Sequence, residues 1–299
     1  MSDIVWKRGA PRAILLATDL DGRCDRALDR AVALARAWRA RLVVLTVVEP
    51  TPAPPPRRDL PPSPQASQAA LRAAARLRRD VGPVGDGLEL ELLVREGQVG
   101  SCVESVATET GCSLVVTGIA HDALFGRHLL GSTVTWLSRH GHLPLLVVRD
   151  RVHAPYARMV VASDFSTSSA HALDVARGFF PETAASLFTA FEPPYLGLRD
   201  GDRERGVGDM HEAIMQKARD FVAAHGHAGL PVAAAHGDAA RRMAEHALAI
   251  DAGLVVVATH GRGALFHLLI GSVAREVLDA SPCDTLLVPE PGARRQDQP

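Results

Sequence analysis

Short apolar runs alternate with amphipathic stretches along this chain, and the alternation occurs twice. "PRAILLATDLDGRCDRALDRAVALARAWRARLVVLTVVEP" (11–50) aligns with "ARMVVASDFSTSSAHALDVARGFFPETAASLFTAFEPP" (157–194). Each begins with a strand-sized run that ends at an aspartate, Asp19 or Asp164. A helical stretch follows, then a second apolar run that ends in "EP". In the first half Ala27, Ala31, Leu34 and Ala35 recur at helical spacing, an apolar stripe that faces a sheet. Further on, each half carries a third strand, a helix, a fourth strand, a glycine-bearing stretch leading into a helix, and a fifth strand. The fourth strands are "SLVVTG" (113–118) and "GLVVVA" (253–258), and the fifth "LPLLVV" (143–148) and "DTLLVP" (284–289). Strands apolar on both faces and alternating with helices predict a parallel sheet covered on both sides. Right-handed crossovers then limit the topology to a doubly wound sheet. The expectation is an α/β fold with two doubly wound, five-stranded parallel sheets in tandem, strand order 3-2-1-4-5, related by a pseudo-two-fold.

The domains are expected over residues 1–150 and 151–299, joined by the short linker "RDRVHAPYAR" (149–158). The tail from about residue 292, "GARRQDQP", has the composition of a disordered segment. "EPTPAPPPRRDLPPSPQ" (49–65) reads as a semi-rigid solvated insertion after the second strand, with a polyproline partner segment as the other reading. Closing a longer surface loop costs only about 0.6 kcal/mol per doubling of length. Replacing residues 50–64 by a short Gly/Ser link should therefore leave the melting temperature nearly unchanged. A large drop in a thermal melt would show that the insertion packs on the domain.

Composition narrows the function. The 299 residues are 47% hydrophobic and 22% charged with net charge −1, so no basic footprint for nucleic acid or anionic membrane is present. The longest apolar runs are strand-sized, and "MSDIVWKRGAPR" lacks the apolar stretch of a signal peptide. Cys24, Cys102, Cys112 and Cys283 show no CxxC spacing, which fits a reduced cytoplasm.

The chemistry concentrates in "HDALFGRHLLGS" (121–132) and "GRGALFHLLIGS" (261–272). In an open doubly wound sheet, ligands bind beyond the carboxyl ends of the strands where strand order reverses. The Asp after strand one and the glycine stretch after strand four both reach that crevice. Glycines let a phosphate approach the backbone, and N–H groups at the start of the next helix bind it. Ser272 adds a hydroxyl, and an Asp accepts hydrogen bonds from adenine or ribose. No P-loop occurs, Lys7 and Lys217 are the only lysines, and Arg262 is the one cation in the second glycine stretch.

The two halves resemble the universal stress protein family, whose motif runs Gly, two residues, Gly, nine residues, Gly, then Ser or Thr. The "SPC" segment (281–283) before the last strand adds to the likeness. The resemblance implies ATP, with Mg2+, as ligand in members that keep the motif, and none in members that lack it. Gly261, Gly271 and Ser272 match, with Ala258 at the first glycine position; Gly118, Gly131 and Ser132 match in the first half, with His121 at the second. Ala258 adds one methyl, tolerable if its φ is negative, whereas His121 puts an imidazole in the path of a phosphate. The better site is therefore expected in the second half, from Asp164, Ala190, Ala258, Gly261, Arg262, Gly263, Gly271, Ser272 and Val273. The weaker set is Asp19, Val47, Gly118, Gly131, Ser132 and Thr133. The family dimerises through its last strand, which implies an intramolecular pseudo-dimer that pairs two sheet edges, and a homodimer as a further option.

Plainer readings stand beside these. Asp19 and Asp164 can be helix caps or turn residues, Gly126 and Gly263 can permit turns, and Gly271–Ser272 can be a loop end and an N-cap. His225, His227, His236, His246, His260 and His267 show no HExxH pattern and no cysteine partners, so surface or helix-end positions account for them better than zinc. Cys102 and Cys112 read as small apolar packing groups. No base, nucleophile elbow or carboxylate pair accompanies the glycines, so a dedicated catalyst is not indicated. The alternatives to a nucleotide-binding stress protein are a ligand-independent interaction module and a slow ATP hydrolase of the adenine nucleotide α-hydrolase type.

Overall fold

The computed structural model describes residues 9–20, 25–49, 67–119, 131–192, 200–259 and 271–290. Both repeats of the sequence emerge as βα units. The first contains β1 (Ala13–Ala17), α1 (Asp25–Trp38), β2 (Arg41–Val48), α2 (Gln68–Val81) and β3 (Leu90–Glu96). It continues with α3 (Val99–Thr110), β4 (Leu114–Gly118), α4 (Ser132–His140) and β5 (Leu145–Val148). The second contains β6 (Arg158–Ala162), α5 (Thr167–Phe179), β7 (Ala184–Phe191), α6 (Asp200–Ala224) and β8 (Val232–His236). It ends with α7 (Ala239–Ala249), β9 (Leu254–Ala258), α8 (Ser272–Ala280) and β10 (Asp284–Val288).

The strands of the first half lie in the order β3-β2-β1-β4-β5, with β1 parallel to β2 and β4. Those of the second lie in the order β8-β7-β6-β9-β10, with β6 parallel to β7 and β9. Both are the expected 3-2-1-4-5 order. The chain divides into two compact units: residues 11–137 with 147–152, and a second that takes 138–146 along with the chain from 153 onward.

Burial follows strand position. The first strand of the fold is wholly buried from Ala13 to Ala17, as is β9 from Leu254 to Ala258. Helices on both faces require this of central parallel strands. The outer strands β3 and β8 are half-buried. Ala27, Ala31, Leu34 and Ala35 of α1 all pack inward, so the predicted stripe is the buried face.

Local chemistry sets the helix ends. Ser67, Ser166 and Asp238 cap α2, α5 and α7, each accepting a first-turn N–H. The third helix stops at Gly111, whose φ of 66° suits glycine and frees it to close the helix. In the second half Tyr156 donates its hydroxyl to Oδ2 of the fully buried Asp284 at 2.6 Å, a hydrogen bond of the kind a buried polar group requires. No helix of the described residues is long and apolar enough to cross a membrane.

Candidate functional site

The same turn follows the first strand of each half. In the second, Ser163 is buried and its Oγ accepts the Phe165 N–H at 3.0 Å while bonding Ser169 Oγ at 2.9 Å. Phe165 sits at φ 63°, a left-handed conformation uncommon for a bulky residue. Asp164 Oδ1 accepts the Ser166 N–H at 3.0 Å, and Ser166 Oγ accepts the Ser169 N–H at 3.2 Å. In the first half Thr18 Oγ1 accepts the Leu20 N–H at 3.0 Å, and Leu20 is at φ 62°. Strain of this kind costs on the order of 1–3 kcal/mol and persists where surrounding bonds fix it. Here serine or threonine hydroxyls do so, and Asp19 and Asp164 are held exposed on the rim.

The turn role allowed for Asp164 is real, since its carboxylate does bond Ser166. It is not the helix cap; Ser166 is. The Gly271–Ser272 step also differs from the N-cap reading for Ser272. The cap is Gly271, with no side-chain bond, and Ser272 is the first helical residue.

A neck fixes that step. Thr259 N–H reaches the Val288 carbonyl at 2.9 Å, and Gly271 N–H reaches the Thr259 carbonyl at 2.8 Å. Both ends of the intervening stretch are thereby tied to the carboxyl end of β9, and the uncapped start of α8 stands there. Ile119 N–H to the Val148 carbonyl, 3.2 Å, is the counterpart in the first half. Ala258 is absent from the left-handed backbone positions, so its methyl is accommodated without strain.

Because β6 lies between β7 and β9, Asp164, Ala190, Ala258, Gly271, Ser272 and Val273 gather at one carboxyl edge. Ser272 and Val273 are exposed there and Ala190 is half-buried. Asp19, Val47, Gly118, Gly131, Ser132 and Thr133 hold the matching places in the first half, Val47 next to the last residue of β2, Gly118 ending β4 and Ser132 starting α4. Gly261, Arg262 and Gly263, with His121, Gly126, His260, His267 and Cys24, lie outside the described residues.

Two cations reach these turns that nothing in the local sequence announces. Arg76 of α2 donates to the Leu20 carbonyl and pairs with Asp80 at 3.4 Å. Lys217 of α6 places its ammonium 4.9 Å from the centroid of the Phe165 ring, which itself packs edge-on against Phe221. The glycine stretch itself carries no lysine, and the fold brings Lys217 to the residue after Asp164. Only the crossover from β7 through α6 to β8 could have signalled it.

The remaining candidates sit elsewhere. His227 Nε2 bonds Asp174 at 2.8 Å, His225 Nδ1 bonds the Phe221 carbonyl at 2.8 Å, and His246 stacks on Phe188 with burial pushing its pKa down. Among the described residues no group of three or more metal-ligating side chains converges. Burial raises the thiol pKa of Cys102 and of Cys112, which keeps both protonated in their packing positions. An open concavity of about 550 Å³ lined by Met215, Arg219, Val222, Leu230 and Val232 lies where β8 begins, the end of the sheet opposite Asp164.

A hydroxyl-braced Asp turn and an uncapped helix start thus stand at adjacent strand ends of a doubly wound sheet, the edge at which such sheets bind ligands. The universal stress protein family matches twice, over residues 11–149 and 155–289, and the chain belongs to that family. Among solved structures it is similar to a putative universal stress protein from Pseudomonas aeruginosa UCBPP-PA14, at 20% identity over 94% of each chain and a TM-score of 0.65. It is also similar to a universal stress protein from Archaeoglobus fulgidus DSM 4304, at 18% identity over 93% of this chain and 98% of that one, TM-score 0.63. A universal stress protein in complex with cAMP matches 45% of this chain and 98% of its own at 27% identity, TM-score 0.34. None of the curated proteins matches the chain.

Proposed function

We propose that this chain is a cytoplasmic stress-response protein that binds one adenine nucleotide, ATP with Mg2+, in its second half (residues 151–299). The first half (1–150) serves as a scaffold of the same fold with a degenerate crevice. The reading rests above all on Gly271. Its φ of −56° is open to any residue, and among the described residues an added Cβ would meet the Thr259 carbonyl alone, at 3.4 Å. The packing of the described residues therefore gives little reason for a glycine, whereas a phosphate approaching the α8 N–H groups gives a direct one. Asp164 receives the ribose or base at the neighbouring strand end. Gly261 and Gly263 continue the phosphate path, and Arg262 supplies a charge to it.

Calorimetric titration of the full chain with MgATP should give one site. Trp136 lies one turn into α4 from Ser132 and no tryptophan follows it, so its emission reports on the first crevice. Followed in a Trp6→Phe, Trp38→Phe background, that emission should not change as ATP binds. No binding heat, or a Trp136 response that tracks the titration, would overturn the assignment.

A further inference from the structure

We propose that Lys217 makes the second-half crevice selective for nucleotides carrying a phosphate on a ribose hydroxyl, an inference that rests on the nucleotide reading above. The helix after the second strand delivers a cation to the Asp turn in both halves, but the two cations are held differently. Arg76 is committed, bonded to the Leu20 carbonyl and to the Asp80 carboxylate, whose pKa is lowered chiefly by Arg79 and further by Arg76. Lys217 makes no ion pair among the described residues. The acid one turn along its helix, Asp220, is engaged by the Gln216 amide at 2.9 Å. The ammonium instead rests on the face of Phe165, an exposed cation–π contact, weak compared with a charge-assisted hydrogen bond to phosphate. A flexible stem with three donors can leave that ring for an anion at little cost.

The strand order sets Lys217 apart from the α8 start. The α8 start, where a 5′-phosphate would bind, follows β9 on one side of β6. Lys217 comes from α6, which joins β7 to β8 on the other side. A ligand laid across the Asp164 turn thus has its 5′-phosphate at α8 and its ribose hydroxyl edge toward Lys217. A 2′- or 3′-phosphate there would draw the ammonium from Phe165 into an ion pair.

The test compares AMP, adenosine 3′,5′-bisphosphate and adenosine 2′,5′-bisphosphate by calorimetry on the wild-type chain, Lys217→Met and Lys217→Arg. The wild type should bind at least one bisphosphate about tenfold more tightly than AMP, the scale of one charge-assisted bond. Which isomer gains identifies the hydroxyl. Lys217→Met should erase the difference while leaving AMP affinity unchanged, and Lys217→Arg should keep most of it. AMP binding with no bisphosphate preference, or a preference that survives Lys217→Met, overturns this proposal alone. Failure of all three nucleotides on a chain that still binds MgATP also overturns this proposal alone, and failure of MgATP as well overturns the nucleotide reading with it.

Discussion

Gly271→Asp should abolish nucleotide binding without lowering the melting temperature. The two effects have one cause, the uncapped start of α8. Gly271 already has N-cap geometry, φ −56° and ψ 143°, and Asp is among the favoured residues there. Its carboxylate would take the first-turn N–H groups and complement the helix dipole, adding a few tenths of a kcal/mol to stability. Those are the donors a phosphate needs, and the new charge repels it. Hydrogen bonds to charged groups contribute about 1.5–3 kcal/mol each. Losing two therefore weakens binding by roughly a hundredfold or more, at tenfold per 1.4 kcal/mol. Gly131→Asp, the same change in the first half, should leave ATP titrations as they are. If Gly271→Asp binds ATP like the wild type, the helix start is not the phosphate site. If only Gly131→Asp loses binding, the ligand sits in the first half.

Most of the scaffold was legible because it is written in local pattern. Doubly apolar runs such as Leu114–Gly118 and Leu254–Ala258 can only be central parallel strands, and the stripe through Ala27, Ala31, Leu34 and Ala35 can only face a sheet. Asp19, Asp164 and the Gly-Ser steps stand at strand and helix ends for the same local reason. The division of labour inside each turn was not legible. Ser163 and Thr18 brace the left-handed residue, and Ser166 rather than Asp164 caps the helix. Several hydroxyls within four residues offer the backbone competing bonds, and only the folded geometry selects among them. Lys217 and Arg76 lie more than fifty residues from the turns they reach, on helices whose rotation about the sheet no local periodicity specifies. Gly100 of α3 and Trp136 of α4 also meet through the rotation of two helices about the sheet.

Gly100→Ala should destabilise the first half through that pair, although alanine is the better helix former by about 1 kcal/mol. Gly100 is buried in the first turn of α3, and the Trp136 indole of α4 lies flat against it. A methyl at Gly100 would come within 2.8 Å of Cε2 of the indole and closer still to Cδ2 and Cε3. Ring atoms cannot yield as the tip of a flexible chain does, so α3 and α4 must move apart. Overpacking of this kind costs about 1–3 kcal/mol, a drop of roughly 2–10 °C in melting temperature for a chain of this size. The second half carries the compatible pair at the same helical positions, Ala240 in α7 and Glu276 in α8. Trp136→Glu removes the ring and should itself cost stability, because Gly100 then faces a void. In that background the sign of the Gly100 change should reverse: alanine no longer meets the indole, and its helix propensity is recovered. A double-mutant cycle by thermal melts reads this coupling directly. Equal loss from Gly100→Ala in both backgrounds would mean that the indole does not rest on this glycine.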